Sequence, residues 1–196
     1  MPYVVGLVRS GRDPYSYIEF PPEEHDEETG GGFWFSALGG PIEEELLPKR
    51  TLKAVKRSKK KDPEFTFAYG SQPCVTEKVK AIIERFEPGV HQFFPVEINS
   101  PNGTVLERGR YMLNVTTLVD AIADGKNHSS DPGDPRYSSP STCGVPLSVR
   151  HRDIAGLHLW RDERIAAEVL FMSTELFDAL NDVERLRVVA NPLILV

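Results

Sequence analysis

Cys143 is the residue whose type most invites covalent chemistry, because His128 and His151 lie near it in the sequence. A thiol becomes a strong nucleophile when an imidazole or other positive neighbour stabilises its thiolate. The surrounding stretch, NHSSDPGDPRYSSPSTCG (127–144), is rich in Ser, Pro, Asp and Gly and reads as the longest loop of the chain. A small residue in a loop beside solvated histidines is the simpler account of the same letters. Asp131 and Asp134 offer hard oxygen ligands, but they lack the carboxylate series of a calcium loop, so turn formation is preferred. His25 inside EEHDEE (23–28) is half a metal site at most, and one histidine in an acidic loop is ordinarily solvated. His158 alternates with Leu157 and Leu159 and is expected on a strand surface. GxSxG, HExxH, P-loop, GxGxxG and paired CxxC patterns are all absent from the chain. The expectation is no catalytic residue, no metal ligand and no cofactor.

The charges are segregated more strongly than the net value of −6 suggests. Residues 1–45 carry ten acidic and two basic groups, and residues 46–61 carry eight basic groups and no acidic one. EEHDEE and EEE (43–45) form the acidic blocks; KRTLKAVKRSKKK (49–61) is the basic one. Such blocks either neutralise each other across the fold or steer a charged partner. The basic stretch has no interleaved aromatic residue on which bases could stack, and the whole chain is acidic. Nucleic-acid binding is therefore disfavoured. Lysines guarding an exposed sheet edge are a competing use of the same stretch.

Hydrophobic residues make up 40% of the 196 and charged residues 27%, the balance of a water-soluble globular chain. No run reaches the roughly 18 apolar residues of a membrane span, and MPYVVGLVRSGRDP does not read as a signal peptide. Two cysteines, Cys74 and Cys143, suit thiols in a reducing compartment better than a bridge. A cytoplasmic location is expected.

Strands are expected at PYVVGLVR (2–9) and YSYIEF (15–20), joined by a turn at Gly11, Asp13 and Pro14, and at EFTFAY (64–69). GGFWFSALGG (31–40) is an apolar island, and Pro41 is placed to open a short helix through Leu47. TLKAVKR (51–57) reads either as a strand or as loop. In VTEKVKAIIERFEPG (75–89), Val79, Ile82, Ile83 and Phe86 make one helical stripe, with Thr76 as N-cap and Pro88–Gly89 as stop. HQFFPVEI (91–98) and LERGRYMLNV (106–115) flank a Pro-Asn-Gly turn and should pair antiparallel. Pro95 lacks an N–H, so it belongs at an edge or a bulge. TTLVDAIADG (116–125) reads as a helix burying Leu118, Val119 and Ile122. IAGLHLW (154–160) and ERIAAEVLFM (163–172) read as strands around an Arg161–Asp162 turn. Ser173 caps a helix in STELFDALND (173–182), and VVANPLILV (188–196) is a last apolar run broken at Asn191–Pro192.

These elements give an α+β fold of mainly antiparallel sheet with about three short helices. A soft division near residue 62 separates a charge-segregated N-terminal lobe (1–62), packed on the rest, from a regular α+β unit (63–196).

The order FPV (94–96), then YMLNV (111–115), then VDAI (119–122) resembles a family of bacterial immunity proteins found in polymorphic-toxin loci. Phe94, Pro95, Val96, Tyr111, Asn114, Val115, Val119 and Asp120 carry the resemblance, which covers residues 64–125 and 153–196. It implies a non-enzymatic protector, made beside a toxin gene, that binds the toxin domain and blocks it. The acidic segments would then face the partner, and phosphate mimicry towards a nuclease is one form this could take. On that basis Glu23, Glu24, Asp26, Glu27, Glu28 and Trp34 are the candidate partner-binding residues. The alternatives are a small Cys/His-dependent hydrolase and a nucleic-acid-associated module using residues 49–61.

Overall fold

The computed structural model describes residues 1–6, 18–19, 39–43, 51–54, 63–68, 72–100, 102–123, 147–163, 170–186 and 188–196. The apolar stripe at residues 79–86 forms α1 (Glu77–Phe86), with Val79 and Ile83 buried and Ile82 and Phe86 half-buried. The helix starts at Glu77, directly after Thr76, the residue expected as its N-cap, while Val75 belongs to a strand. Thr76 holds the N-cap position, but its hydroxyl donates to Glu64 Oε2 at 2.7 Å instead of accepting a helix N–H. At the other end Glu87 N–H donates to Ile83 carbonyl at 2.9 Å, and Gly89, at φ +69°, turns the chain away.

The chain then enters the expected hairpin, β6 (Gln92–Asn99) and β7 (Val105–Asn114), paired antiparallel. Val96 faces Arg110 and Ile98 faces Glu107, so Arg108 and Gly109 together oppose Glu97 alone. Gly109 takes up this extra residue at φ +76°, the left-handed conformation that a bulge of this kind requires. Pro95 lies opposite Tyr111, just before the bulge, and the ladder on the other side of β6 begins only at Glu97. Its missing N–H therefore falls where, among the described residues, β6 has a neighbour on one side.

β7 also pairs with β5 (Gln72–Thr76), which pairs with β4 (Phe65–Ala68). β3 (Thr51–Ala54) runs parallel to β6, and β2 (Ile18–Glu19) pairs antiparallel to β3. The resulting sheet has the order β2-β3-β6-β7-β5-β4. The ambiguous TLKA segment is thus a strand, flanked on both sides, and Lys53 is not guarding an edge. It lies in register with Glu19 on β2.

A second sheet has β1 (Tyr3–Gly6) between β12 (Val189–Pro192) and β11 (Leu170–Met172). It continues from β11 to β10 (Leu159–Asp162) and to β8 (Leu118–Val119), the last pair being parallel. β1 and β2 were expected as neighbours across a turn; they belong to different sheets, because β1 fills the slot between two C-terminal strands. β9 (Ser148–Val149) and β13 (Ile194–Leu195) make a small parallel pair. Two further helices are α2 (His151–Ile154) and α3 (Thr174–Asn181). Ser173 caps α3 as expected, its hydroxyl accepting from Leu176 N–H at 3.2 Å.

Three further expectations are overturned in the remaining elements. Residues 116–125 were read as a helix, yet Leu118–Val119 form β8 and Ile122 bridges Val149. Their backbone groups are claimed from outside: Arg161 and Glu163 N–H donate to the carbonyls of Thr117 and Val119, and the Asp162 carboxylate accepts from Ala121 and Ile122 N–H. Arg161–Asp162 is strand, not turn. The break in the final run falls at buried Leu193, one residue after Pro192. The short helix expected from Pro41 to Leu47 lies mostly outside the described residues, and residues 41–43 have no regular structure.

The core follows from strand alternation. Leu159, Leu170 and Met172 join α1 (Val79, Ile83), α3 (Leu176, Leu180), Phe65, Val75 and Leu113 in one cluster. Trp160 and Phe171, on the other face of β10 and β11, join Ile122, Val149, Ile154 and Leu193 in a second. Trp160 and Phe171 are directly opposed in register, with ring centroids 5.7 Å apart. Each such side chain stabilises the fold by about 1.5–3 kcal/mol through burial. No helix of the described residues is long and apolar enough to cross a membrane.

Candidate functional site

Residue 87 ends α1 and its side chain turns inward. The Glu87 carboxylate is 8% exposed and accepts hydrogen bonds from His158 N–H (2.8 Å), Leu159 N–H (3.1 Å) and His91 Nε2 (2.7 Å). Thr116 N–H donates to His91 Nδ1 at 3.3 Å, which places the ring proton on Nε2. Burial alone would raise the Glu87 pKa, but the hydrogen bonds from His91 and from the His158 backbone outweigh it, and the carboxyl lies below its ordinary 4.5. The His158 ring is hydrogen-bonded to Ser173 Oγ at 2.9 Å and packs on Phe86 at 4.9 Å between centroids. The residue expected on a strand surface is therefore a half-buried tie between α1 and α3. Glu87 receives the His158 backbone and not its imidazole, so no carboxylate–imidazole–hydroxyl relay is assembled.

Directly beyond His91, Gln92 and Asn114 face each other across the first rung of the β6–β7 ladder. Asn114 Nδ2 donates to Gln92 Oε1 at 2.8 Å and to Gly40 carbonyl at 2.7 Å. Gln92 Oε1 also accepts from Ile42 N–H at 2.8 Å, and Gln92 Nε2 donates to Ile42 carbonyl at 2.9 Å. Two amide side chains thus clamp the segment 39–43 as a neighbouring strand would, by its backbone. Ile42 is buried, while Pro41 and Glu43 on either side are exposed. Gly39 and Gly40 have φ of +79° and +103°, and a Cβ on Gly39 would come within 3.0 Å of Leu118 Cδ1. Both glycines are favoured by their positive φ, and Gly39 is required by this close approach as well.

A third group of charges serves the chain itself. Arg150 donates to the Ile122 carbonyl at 2.7 Å and pairs with Asp120 and Asp153. Asp162 holds the 121–122 backbone, and its neighbour Arg161 is buried, its guanidinium pushed down to about 10 by desolvation and still cationic at neutral pH. Arg110 is buried, its Nη1 donating to the Pro63 carbonyl at 2.8 Å and its Nε lying 3.0 Å from Glu107 Oε1 as an ion pair.

Glu23, Glu24, Asp26, Glu27, Glu28 and Trp34 lie outside the described residues, as do His25, His128, Asp131, Asp134 and Cys143. His151 is an exposed residue at the start of α2, its N–H donating to the Val196 carbonyl. No group of His, Cys, Asp and Glu suited to a metal ion occurs among the described residues. The amide clamp was not anticipated: Asn114 stood out only as part of YMLNV, and nothing local couples it to Gly40.

A family model described as Immunity protein family (Imm11) matches residues 9–190. The match spans both the acidic N-terminal third and the 127–144 stretch, wider than the resemblance carried by residues 64–125 and 153–196. No curated protein matches the chain.

Proposed function

Because this chain belongs to the Imm11 immunity protein family and so neutralises a toxin without catalysis, we propose that it works by binding its cognate toxin domain and occluding it directly. The observation that carries this reading is the family match across residues 9–190, which leaves little of the chain for a separate activity. The described titratable clusters agree with it. Glu87, His91, His158, Ser173, Asp162 and Arg150 hold the protein's own backbone and side chains in place.

The toxin partner is encoded beside this chain, as expected of a protector produced with its poison. Glu23, Glu24, Asp26, Glu27, Glu28 and Trp34 are the contact residues on this reading, with the acidic block supplying long-range attraction and the indole an anchor. A block of like charge raises the association rate and makes binding salt-sensitive.

Co-expression tests it. Cells making the toxin domain from the adjacent gene should grow when this chain is also made, and the two proteins should co-purify. Cells that die despite folded, soluble immunity protein would refute the pairing.

A further inference from the structure

The amide clamp closes a ring of three chain segments. Ile42 is held by Gln92; two residues back, Val90 carbonyl accepts from the Thr116 hydroxyl at 2.5 Å. Two residues on from Thr116, the Leu118 side chain lies close against Gly39, where a Cβ would come within 3.0 Å of it, and Gly40 returns to Asn114. The segments 39–43, 88–92 and 116–120 are thereby fixed side by side although they are distant in sequence.

Two of the outward residues of this ring are exposed aliphatic side chains. Val90 is 43% exposed and Leu118 38% exposed, and Pro41 is exposed between them in the chain of contacts. The three segments contain no lysine or arginine; their charged residues are the carboxylates Glu43 and Asp120, of which Asp120 is met from outside the ring by Arg150. Glu43 is exposed and begins the run Glu43–Glu44–Glu45. Exposed apolar side chains bordered by the Glu43 carboxylate suit a protein-docking surface whose partner carries positive charge opposite it. The hydrogen bonds beneath it hold the surface in shape before a partner arrives, which lowers the ordering cost of binding.

We infer that this ring, with Pro41, Glu43, Val90 and Leu118 outermost, is a docking surface for the cognate toxin domain, and that it meets an apolar, lysine- or arginine-rimmed face of that partner. The inference rests on the toxin-binding reading above and locates part of the contact on the described body of the fold.

The test uses the full chain and a catalytically inactivated toxin domain from the adjacent gene, with affinity measured by calorimetry. Val90→Lys and Glu43→Lys place a positive charge where the basic partner docks. Each should weaken binding about tenfold or more, with an unchanged thermal midpoint, because both positions are exposed. Arg108→Glu, on the hairpin well away from the ring and 71% exposed, should bind as the unaltered chain does. Raising the salt should weaken the unaltered complex and narrow the gap to Glu43→Lys. If the unaltered chain binds and both lysine variants bind equally well, the docking surface is wrong and the toxin-binding reading stands. If the unaltered chain does not bind, both fall.

Discussion

Asn114 Nδ2 donates to the carbonyl of Gly40, 74 residues earlier in the chain, at 2.7 Å. With Gln92 it lets two side chains do what a neighbouring strand would otherwise do for the 39–43 backbone. Side-chain amides can play this part because each carries both a donor and an acceptor in the geometry of a peptide group. The arrangement fastens a point lying, in sequence, between Trp34 and Glu43–Glu45 to the longest hairpin of the described residues.

Asn114→Leu removes the donor and leaves the Gly40 carbonyl and Gln92 Oε1 short of a partner in a buried place. The expected cost is about 1–3 kcal/mol, read from the shift of the urea midpoint. Asn114→Asp should be no milder, since a carboxylate facing Gln92 Oε1 and a carbonyl has no proton to give.

Glu87 makes three hydrogen bonds as an acceptor, so Glu87→Gln sets an amide NH2 against an N–H donor and should cost about 1–3 kcal/mol at neutral pH. The pH dependence follows from a folded-state pKa below the ordinary 4.5. Such a group adds stability above its unfolded pKa, and that contribution is lost as pH falls through the lowered folded value. The difference between the unaltered chain and Glu87→Gln should therefore shrink as pH falls below 4.5, in denaturant titrations across that range.

Gly109 sits at φ +76° with nothing within 4 Å of where a Cβ would be. Gly109→Ala should thus meet only the backbone penalty of the left-handed region, about 1–2 kcal/mol. Gly39→Ala adds a 3.0 Å approach to Leu118 and should lower the thermal midpoint further. Equal midpoints for the two variants would show that Leu118 yields freely.

Cys143→Ala should protect cells from the toxin as well as the unaltered chain. A loss of protection with retained folding would revive the thiol chemistry that the sequence alone leaves open.

The elements legible in the sequence are those whose signal is local. α1 announces itself by Val79, Ile82, Ile83 and Phe86, α3 by its Ser173 cap, and the hairpin by its Pro-Asn-Gly turn; all three formed. Leu118, Val119 and Ile122 carry an equally local helical pattern, yet it lost to hydrogen bonds donated by Arg161 and Glu163 and accepted by Asp162, which lie some 40 residues away and cannot be read from spacing. The placement of β1 between β11 and β12, in place of the expected pairing with β2, was illegible for the same reason. α2 is a single turn, too short for periodicity to register. The docking ring was illegible because its members belong to three segments and share no motif; only Asn114 gave a hint, through YMLNV. Pro95 was expected at an edge or a bulge; it sits instead just before the bulge, in an interior strand, at a rung that β3 does not reach.

The central claim, neutralisation by binding, is tested most directly by titrating this chain into a fixed amount of active toxin domain and following the toxin's activity. Occlusion predicts a fall to the residual level at equimolar chain, with no further decline over time at lower ratios. Progressive loss of toxin activity at a small fraction of one chain per toxin would mean turnover, and would contradict the account.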